Sequence, residues 1–289
     1  MSEQMNHLLE YLPTIAKLFP DALSDVEEIR LIRGRNIRLC KEYSEQELPY
    51  FVNENLIQDV IDRTTRRSPY GVMEMLRKGF LILPGGHRLG LCGTGVYKEG
   101  SLRSLRDISS INIRIARDII GIGTSIADVL WSSCGSALCM GPPGRGKTTL
   151  LRDVIRQLSM RYRERICVID ERQELAASLE GIPQFDLGPT SDIMSSVKKS
   201  DAIDMTIRTM GPTWVALDEI TAEEDVDAMI RGSYCGVKFI ATAHGDGIRD
   251  LNSRPVYRKL MENGIFDHIF VLNADRSVHK EVLWKSSVS

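Results

Sequence analysis

Long apolar runs are missing from this sequence. No stretch approaches the roughly 18 consecutive apolar residues that a membrane-spanning helix needs. The first residues, MSEQMNHLLEYLPTI, include early acidic side chains and no apolar core segment, so we expect no signal peptide. We therefore expect a cytoplasmic protein that meets a membrane peripherally, through a partner.

Clustered cysteines are missing as well. The six cysteines are scattered, and neither a Cys-x-x-Cys pair nor a group of nearby histidines completes a metal site of the zinc type. Several of them lie inside apolar runs, which is typical of buried thiols in a reducing compartment. We therefore expect these thiols to stay reduced.

Aromatic residues and excess charge are both scarce. Only 6% of the residues are aromatic and the net charge is −2, so the chain offers few rings for base stacking and no overall attraction to a polyanion. We therefore expect no direct partner among nucleic acids. Residues 60–120 are locally basic, with eleven Lys and Arg against five Asp and Glu. A solvated face is the simplest interpretation of this segment, which is the only feature that supports a nucleic-acid partner.

The 289 residues are enough for two domains, and the pattern changes along the chain. Residues 1–120 predict a smaller α+β domain. Its predicted elements are an amphipathic helix over 1–18, a hairpin over 27–40, helices over 55–67 and 70–79, strands over 80–107, and a segment over 111–121 that favours a strand over a helix start.

Residues 121–289 predict an α/β domain. Short apolar strands alternate with helical patterns, which indicates βαβ units and a mostly parallel sheet with helices on both faces. The predicted strands are 137–141, 166–170, 214–220 and 238–244, and the predicted helices are 147–160, 194–210 and 222–233. Because ligands of such sheets bind at the carboxyl ends of the strands, we expect the four polar strand ends to meet.

The first strand end carries a phosphate-binding loop, Gly141-x-x-x-x-Gly146-Lys147-Thr148. Glycines let backbone N–H groups curl around phosphate oxygens, Lys147 is suited to bridge the β- and γ-phosphates, and the Thr148 hydroxyl is suited to bind Mg²⁺. The sequence therefore predicts ATP and Mg²⁺ as ligands. The predicted nucleotide-binding residues are Gly141, Pro142, Pro143, Gly144, Arg145, Gly146, Lys147, Thr148 and Thr149.

The second strand end is Trp214-Val-Ala-Leu followed by Asp218 and Glu219. An apolar strand that ends in two acidic residues, about 65 residues after such a loop, is typical of a Walker B strand. Asp218 is the predicted Mg²⁺ ligand, and Glu219 is predicted to orient or deprotonate the attacking water.

The other two strand ends are also polar. Asp170, Glu171 and Glu174 crowd the end of one strand, an arrangement that suggests a nearby cation or a role in activating water. The sequence leaves open whether Glu219, Glu171 or Glu174 is the main base. At the fourth end, Thr242 or His244 is predicted to sense the γ-phosphate.

Together, GPPGRGKTT, IDERQE, LDEI and TAHG resemble the motifs of the type II and type IV secretion (traffic) ATPases. GGHRLGLCG (85–93) followed by INIRIARD (111–118) resembles a branch of this group that acts in endospore formation. The resemblance implies a P-loop NTPase fold of the RecA-like kind and a hexameric ring. It also implies action in the mother cell, on membrane-embedded components of a channel to the forespore. The group often has Gly-Glu where this chain has Asp218-Glu219, so this pair is nearer the general P-loop pattern.

Ring ATPases of this kind often complete the site with arginines supplied across an interface or between domains. The basic segment supplies candidates that the resemblance makes relevant: Arg88, Arg103, Arg106, Arg114 and Arg117. Arg114 and Arg117 are the predicted catalytic candidates, one of which would reach the nucleotide, and surface salt bridging is the alternative. They share a face on a helix but not on a strand. Two alternatives to a motor remain at this point: a nucleic-acid-stimulated P-loop ATPase, and a nucleotide-gated scaffold with negligible turnover.

Overall fold

The computed structural model describes residues 8–18, 25–65, 79–245, 247–273, 275 and 277–281. Within it the chain divides into two compact units. The first unit is Met1–Arg117 together with Leu179–Gln184, and the second is Asp118–Ser178 together with Phe185–Ser289. The helix predicted over 70–79 lies, but for its last residue, outside the described residues, as do residues 1–7 of the first predicted helix.

The first unit contains a six-stranded antiparallel sheet in the order β3-β2-β1-β6-β5-β4. The helices described in this unit are α1 (Pro13–Leu18) and α2 (Glu54–Thr64). The strands are β1 (Val26–Ile32), β2 (Asn36–Lys41), β3 (Ser44–Phe51), β4 (Phe80–Ile82), β5 (Arg88–Lys98) and β6 (Ser101–Arg114).

One apolar core lies between this sheet and its helices. Alternate residues of β1, such as Ile29 and Leu31, are fully buried and pack in one cluster with Leu56 and Val60 of α2. The side chain of Asn53 accepts a hydrogen bond from the Leu56 N–H at 2.9 Å, which caps the amino end of α2. The predicted hairpin over 27–40 is present as β1 and β2.

The second unit contains a seven-stranded sheet in the order β13-β12-β7-β11-β10-β8-β9, parallel except for the β12–β13 pair. Its strands are β7 (Ala137–Gly141), β8 (Ile166–Asp170), β9 (Ser191–Ser195), β10 (Trp214–Leu217), β11 (Lys238–His244), β12 (His268–Leu272) and β13 (Val278–Glu281). Its helices are α3 (Thr124–Ser133), α4 (Lys147–Tyr162), α5 (Lys199–Met210), α6 (Glu223–Tyr234), α7 (Ile248–Ser253) and α8 (Pro255–Glu262).

Helices cover both faces of this sheet. Successive strand residues point to opposite faces, so Leu138 and Met140 join one core cluster while Ala137 and Cys139 join the other. The first cluster includes residues of α5, α6 and α8, and the second includes residues of α3 and α4. All five residues of β7 are buried, because a central parallel strand is covered on both sides. The predicted three-layer α/β domain is therefore present.

Several predicted boundaries were wrong, including the end of the strand over 214–220, which stops at Leu217. The helix predicted over 194–210 begins only at Lys199, because residues 191–195 form the edge strand β9 beside β8. The helix α3 was not predicted, although its residues Ile126 and Leu130 follow helical spacing and are buried. In the first unit, the segment over 111–121 is a strand only to Arg114.

Among the described residues, no helix combines the length and the apolar character needed to cross a bilayer.

The cysteines differ sharply in their environment, and this predicts their reactivity. Burial raises the pKa of Cys139 to about 12 and that of Cys167 to about 11, whereas Cys92, Cys134 and Cys235 are exposed. Because the thiolate is the nucleophile, we expect iodoacetamide at about pH 8 to label the three exposed thiols and to spare Cys139 and Cys167. Peptide mass mapping of the native chain measures this. Labelling of Cys139 at the rate seen in denaturant contradicts the fold described here.

Candidate active site

The phosphate-binding loop lies between the end of β7 at Gly141 and the start of α4 at Lys147. Gly144 and Gly146 adopt φ angles of +72° and +92°, which side-chain-bearing residues rarely adopt, so glycine is required for the turn. Gly146 is also the residue that precedes the first turn of α4. The positive end of a 16-residue helix therefore opens onto the loop.

Lys147 connects the loop to two other strand ends. Its Nζ lies 2.9 Å from the Pro142 carbonyl oxygen and 2.8 Å from His244 Nδ1. His244 Nε2 lies in turn 3.0 Å from Glu219 Oε2. The loop, the end of β11 and the residue pair after β10 thus meet in one chain of contacts. Burial lowers the pKa of Lys147, and the negative charge of Glu219 partly opposes this effect.

These contacts fit one tautomer of His244. A lysine ammonium only donates, so Nδ1 accepts from Lys147 and Nε2 carries the proton that it donates to the Glu219 carboxylate. The backbone at His244 is also held, because the Arg254 guanidinium donates to its carbonyl oxygen at 2.8 Å and to Asp250 Oδ2 at 2.8 Å. The imidazole is therefore oriented from both sides.

Asp218 lies deep at the end of β10, with 4% of its surface exposed. Its Oδ1 is 2.7 Å from Lys199 Nζ, an ion pair without hydrogen-bond alignment, and Oδ2 has no hydrogen-bond partner among the described residues. Burial raises the pKa of Asp218 to about 6, and the charge of Lys199 opposes this rise. The carboxylate is therefore largely ionised above about pH 7.

The acidic stretch after β8 does not behave as one group. Asp170 accepts four backbone hydrogen bonds, from the N–H groups of residues 174, 175, 176 and 177, at 2.7 to 3.1 Å. It is fully buried, and these backbone N–H groups satisfy its carboxylate without a nearby cation. Glu171 is paired with Lys199 at 2.8 Å, and the charge of Glu174 acts on Asp218, where it raises the pKa.

These residues fit a magnesium nucleotide. The loop and the amino end of α4 are suited to phosphate oxygens, with Thr148 and Thr149 in the first helical turn. Oδ2 of Asp218 is a buried anionic oxygen that no described residue hydrogen-bonds, which is the kind of ligand that Mg²⁺ prefers. Thr242, 3% exposed, lies on β11 two residues before His244.

The predicted arginines lie in the first unit and have partners there. Arg114 Nε is 3.2 Å from Glu28 Oε1, with 68% of its side chain exposed, and Arg117 donates to the Val26 carbonyl oxygen at 3.1 Å. Arg117 follows β6 in irregular structure, so the shared helix face does not occur. Their role at a nucleotide stays a prediction. Arg88 lies over the Phe80 ring at 3.9 Å.

A buried ionic cluster fixes the far side of α4. The Arg156 guanidinium contacts Asp153, which is fully buried, and lies 2.8 Å from Asp118 Oδ2. Asp153 also accepts the Gly123 N–H. These contacts attach residues 118–123 to the helix that begins at the phosphate-binding loop.

Removing this arginine is expected to destabilise the second unit. In Arg156→Met, the fully buried carboxylate of Asp153 loses its counter-charge, which costs about 3–5 kcal/mol in the free energy of unfolding. Arg161→Met on the same helix is the matched control: its exposed pair with Asp128 is worth less than about 1 kcal/mol. Urea unfolding measures both changes, and equal stability of the two variants refutes the assignment.

Sequence reasoning missed two residues of the site. Lys199, with 2% of its side chain exposed, begins α5 in the stretch Lys-Lys-Ser-Asp, which has the composition of a solvated helix start. Arg254 lies ten residues beyond His244, and no motif marks it. Nothing in the spacing of either residue indicates its contacts.

The fold and the loop define a P-loop NTPase with an N-terminal domain, the class to which the type II and type IV secretion ATPases belong. The pilus retraction motor PilT, solved with bound ADP, superposes with a TM-score of 0.63 at 17% identity, over 96% of this chain and 82% of that one. The ATPase DotB of Legionella pneumophila superposes with a TM-score of 0.57 at 15% identity, over 96% and 78%. At these sequence identities, the structural similarity shows a shared fold and nothing more.

Sequence comparison identifies the family. The model of the sporulation stage III protein AA family matches residues 2–282. Stage III sporulation protein AA of Bacillus subtilis strain 168 is 36% identical over 282 residues, with 93% of this chain and 91% of that protein covered. The chain belongs to the family of sporulation stage III protein AA.

Proposed function

We propose that this chain is a Mg²⁺-dependent ATPase that works as a motor during endospore formation. The observation that carries the proposal is the contact chain from Lys147 through His244 to Glu219, beside the buried carboxylate of Asp218. It brings a phosphate-binding lysine, a hydrogen-bonding imidazole, a base and a metal ligand to one edge of a parallel sheet. This is the combination that hydrolysis of a phosphoanhydride requires.

The roles follow from the contacts. The loop from Pro142 to Gly146 and the amino end of α4 bind phosphate oxygens through backbone N–H groups, and the Lys147 ammonium binds the terminal phosphates. Thr148 and Asp218 are the proposed Mg²⁺ ligands. The metal ion neutralises charge that develops on the phosphate oxygens. His244, next to Lys147, is placed to respond when Lys147 transfers its hydrogen bonds to phosphate.

Glu219 is the best candidate for the base. Its carboxylate is joined to Lys147 through His244, so it lies on the phosphate side of the site. Glu171 is instead paired with Lys199 at 2.8 Å, so its carboxylate is already engaged by an ammonium. Glu174 acts on Asp218 through its charge and stays a secondary candidate.

The proposed motor acts as a ring on a membrane complex. The two structural neighbours are a pilus retraction motor and an ATPase, and the family is one of sporulation. We propose a hexameric homo-oligomer in the mother cell that energises membrane-embedded components of a channel to the forespore. Arg114 and Arg117 remain the proposed source of a guanidinium that completes the site.

The test is ATP turnover by the purified chain, with Mg²⁺ and with EDTA, together with light scattering in the presence of a non-hydrolysable ATP analogue. We expect metal-dependent hydrolysis and assembly of subunits on analogue binding. Adding single-stranded DNA or RNA over a salt series tests the alternative: stimulation with a steep salt dependence favours a nucleic-acid-dependent ATPase. No turnover and no nucleotide binding, with or without a membrane fraction from sporulating cells, refutes the proposal.

A further inference from the structure

Lys199 is a buried ammonium with two carboxylate partners. Its Nζ lies 2.8 Å from Glu171 Oε2 and 2.7 Å from Asp218 Oδ1, and 2% of its side chain is exposed. Glu171 follows β8, Asp218 follows β10 and Lys199 begins α5. Three elements that are separate in sequence therefore meet at the Lys199 ammonium, and one of its two partners is the proposed metal ligand, Asp218.

The Lys199 ammonium acts as the counter-ion of the Glu171 and Asp218 carboxylates. A cation between two carboxylates neutralises part of their charge, and a second cation brought to the same pair is repelled by the first. In the part of the chain that the structure describes, Oδ2 of Asp218 has no hydrogen-bond partner, so one oxygen stays available. Within the described part of the chain, no group of three or more His, Cys, Asp or Glu side chains is arranged to hold a metal ion. Further ligands must then come from elsewhere, and nucleotide phosphates supply them.

We propose that Lys199 is a positioning residue that occupies the Glu171–Asp218 pair and prevents a divalent cation from binding there before the nucleotide arrives. The inference rests on the proposed function in one respect, namely that Asp218 is a metal ligand. With Lys199 the three side chains carry a net charge of −1, and without it the two carboxylates carry −2. The lysine thus weakens metal binding by the free protein and makes it depend on the phosphate oxygens that arrive with ATP.

The direct test is a titration of the nucleotide-free chain with Mn²⁺. Electron paramagnetic resonance measures the bound ion at about pH 8, where carboxylates are ionised. We expect Lys199→Met to bind Mn²⁺ at least about tenfold more tightly than the unaltered chain, because a repelling charge is removed from a buried site. The neighbouring Lys198→Met is the matched control. Lys198 is exposed, so the same change in net charge leaves the affinity unaltered. A merely structural role for Lys199 predicts loss of affinity, not gain.

Two further variants keep the test decisive if Lys199→Met folds poorly. The double variant Lys199→Met/Glu171→Gln restores the net charge of −1 and is expected to return the Mn²⁺ affinity to near that of the unaltered chain. Glu171→Gln alone keeps the ammonium and is expected to weaken binding. Unchanged or weaker binding by folded Lys199→Met, or tighter binding by Glu171→Gln, overturns the proposal. None of these measurements uses hydrolysis, so failure of the ATPase proposal is recorded separately, by turnover of the unaltered chain.

Discussion

Lys147→Ala is expected to lower ATP turnover by about 10²–10³-fold or more, because a charged donor to the transferring phosphate is removed. The lysine Nζ contacts the Pro142 carbonyl oxygen and His244 Nδ1, so the substitution also releases the imidazole from its position. Nucleotide affinity is expected to fall with turnover, since the ammonium contacts phosphates in both the ground state and the transition state. Steady-state phosphate release and nucleotide titration measure the two effects.

The control for Lys147→Ala is Lys198→Ala, an exposed lysine outside the proposed site. It changes the net charge by the same amount, so a general electrostatic effect appears in both variants. If Lys147→Ala turns over ATP as fast as the unaltered chain, the loop does not bind the phosphates as proposed. That result also contradicts the proposed motor.

Glu219→Gln is expected to lower turnover by about 10²–10⁴-fold while the chain still binds ATP, because the amide no longer accepts a proton from water. The glutamine oxygen still accepts a hydrogen bond from His244 Nε2, which lies 3.0 Å from the carboxylate. The variant should therefore keep bound ATP, and any assembly that ATP induces should persist. Single-turnover measurements and light scattering follow the two properties.

Glu171→Gln and Glu224→Gln are the comparisons for Glu219→Gln. Glu171 is paired with Lys199, so its loss should reduce turnover less than the loss of Glu219. Glu224 is exposed on α6 and its replacement should have no effect. If Glu171→Gln loses more turnover than Glu219→Gln, the base is Glu171, at the end of β8. A Glu219→Gln variant that retains its full role in sporulation supports a scaffold without turnover.

The sequence predicted the strand ends of the second unit well, for a physical reason. Central parallel strands are buried on both faces, so they are short apolar runs, and the polar residue after each run marks the edge where ligands bind. Asp218, Glu219 and His244 follow this pattern, and Lys147 lies at the end of the loop that follows β7. The glycines of the loop were also predictable, because a turn at positive φ requires them.

The remaining site residues depend on tertiary contacts that no local pattern encodes. Asp170 looked like a member of an acidic cluster, but its carboxylate accepts four backbone N–H groups of the following turn, which only the folded turn presents. Lys199 looked like part of a polar helix start, and it is buried because α5 places it between two strand ends. The edge strand β9 is polar and half-buried, so its sequence carried no strand signal.

The central claim is that the strand ends after β7, β10 and β11 surround a single triphosphate. The most direct measurement is a crystal structure of the chain with Mg²⁺ and a non-hydrolysable ATP analogue. We expect the phosphates to lie along the loop from Pro142 to Gly146, the Lys147 ammonium to move from His244 to the terminal phosphates, and Asp218 and Glu219 to line the opposite side. An analogue bound elsewhere, or an ammonium still held by Pro142 and His244 with the analogue present, contradicts the account.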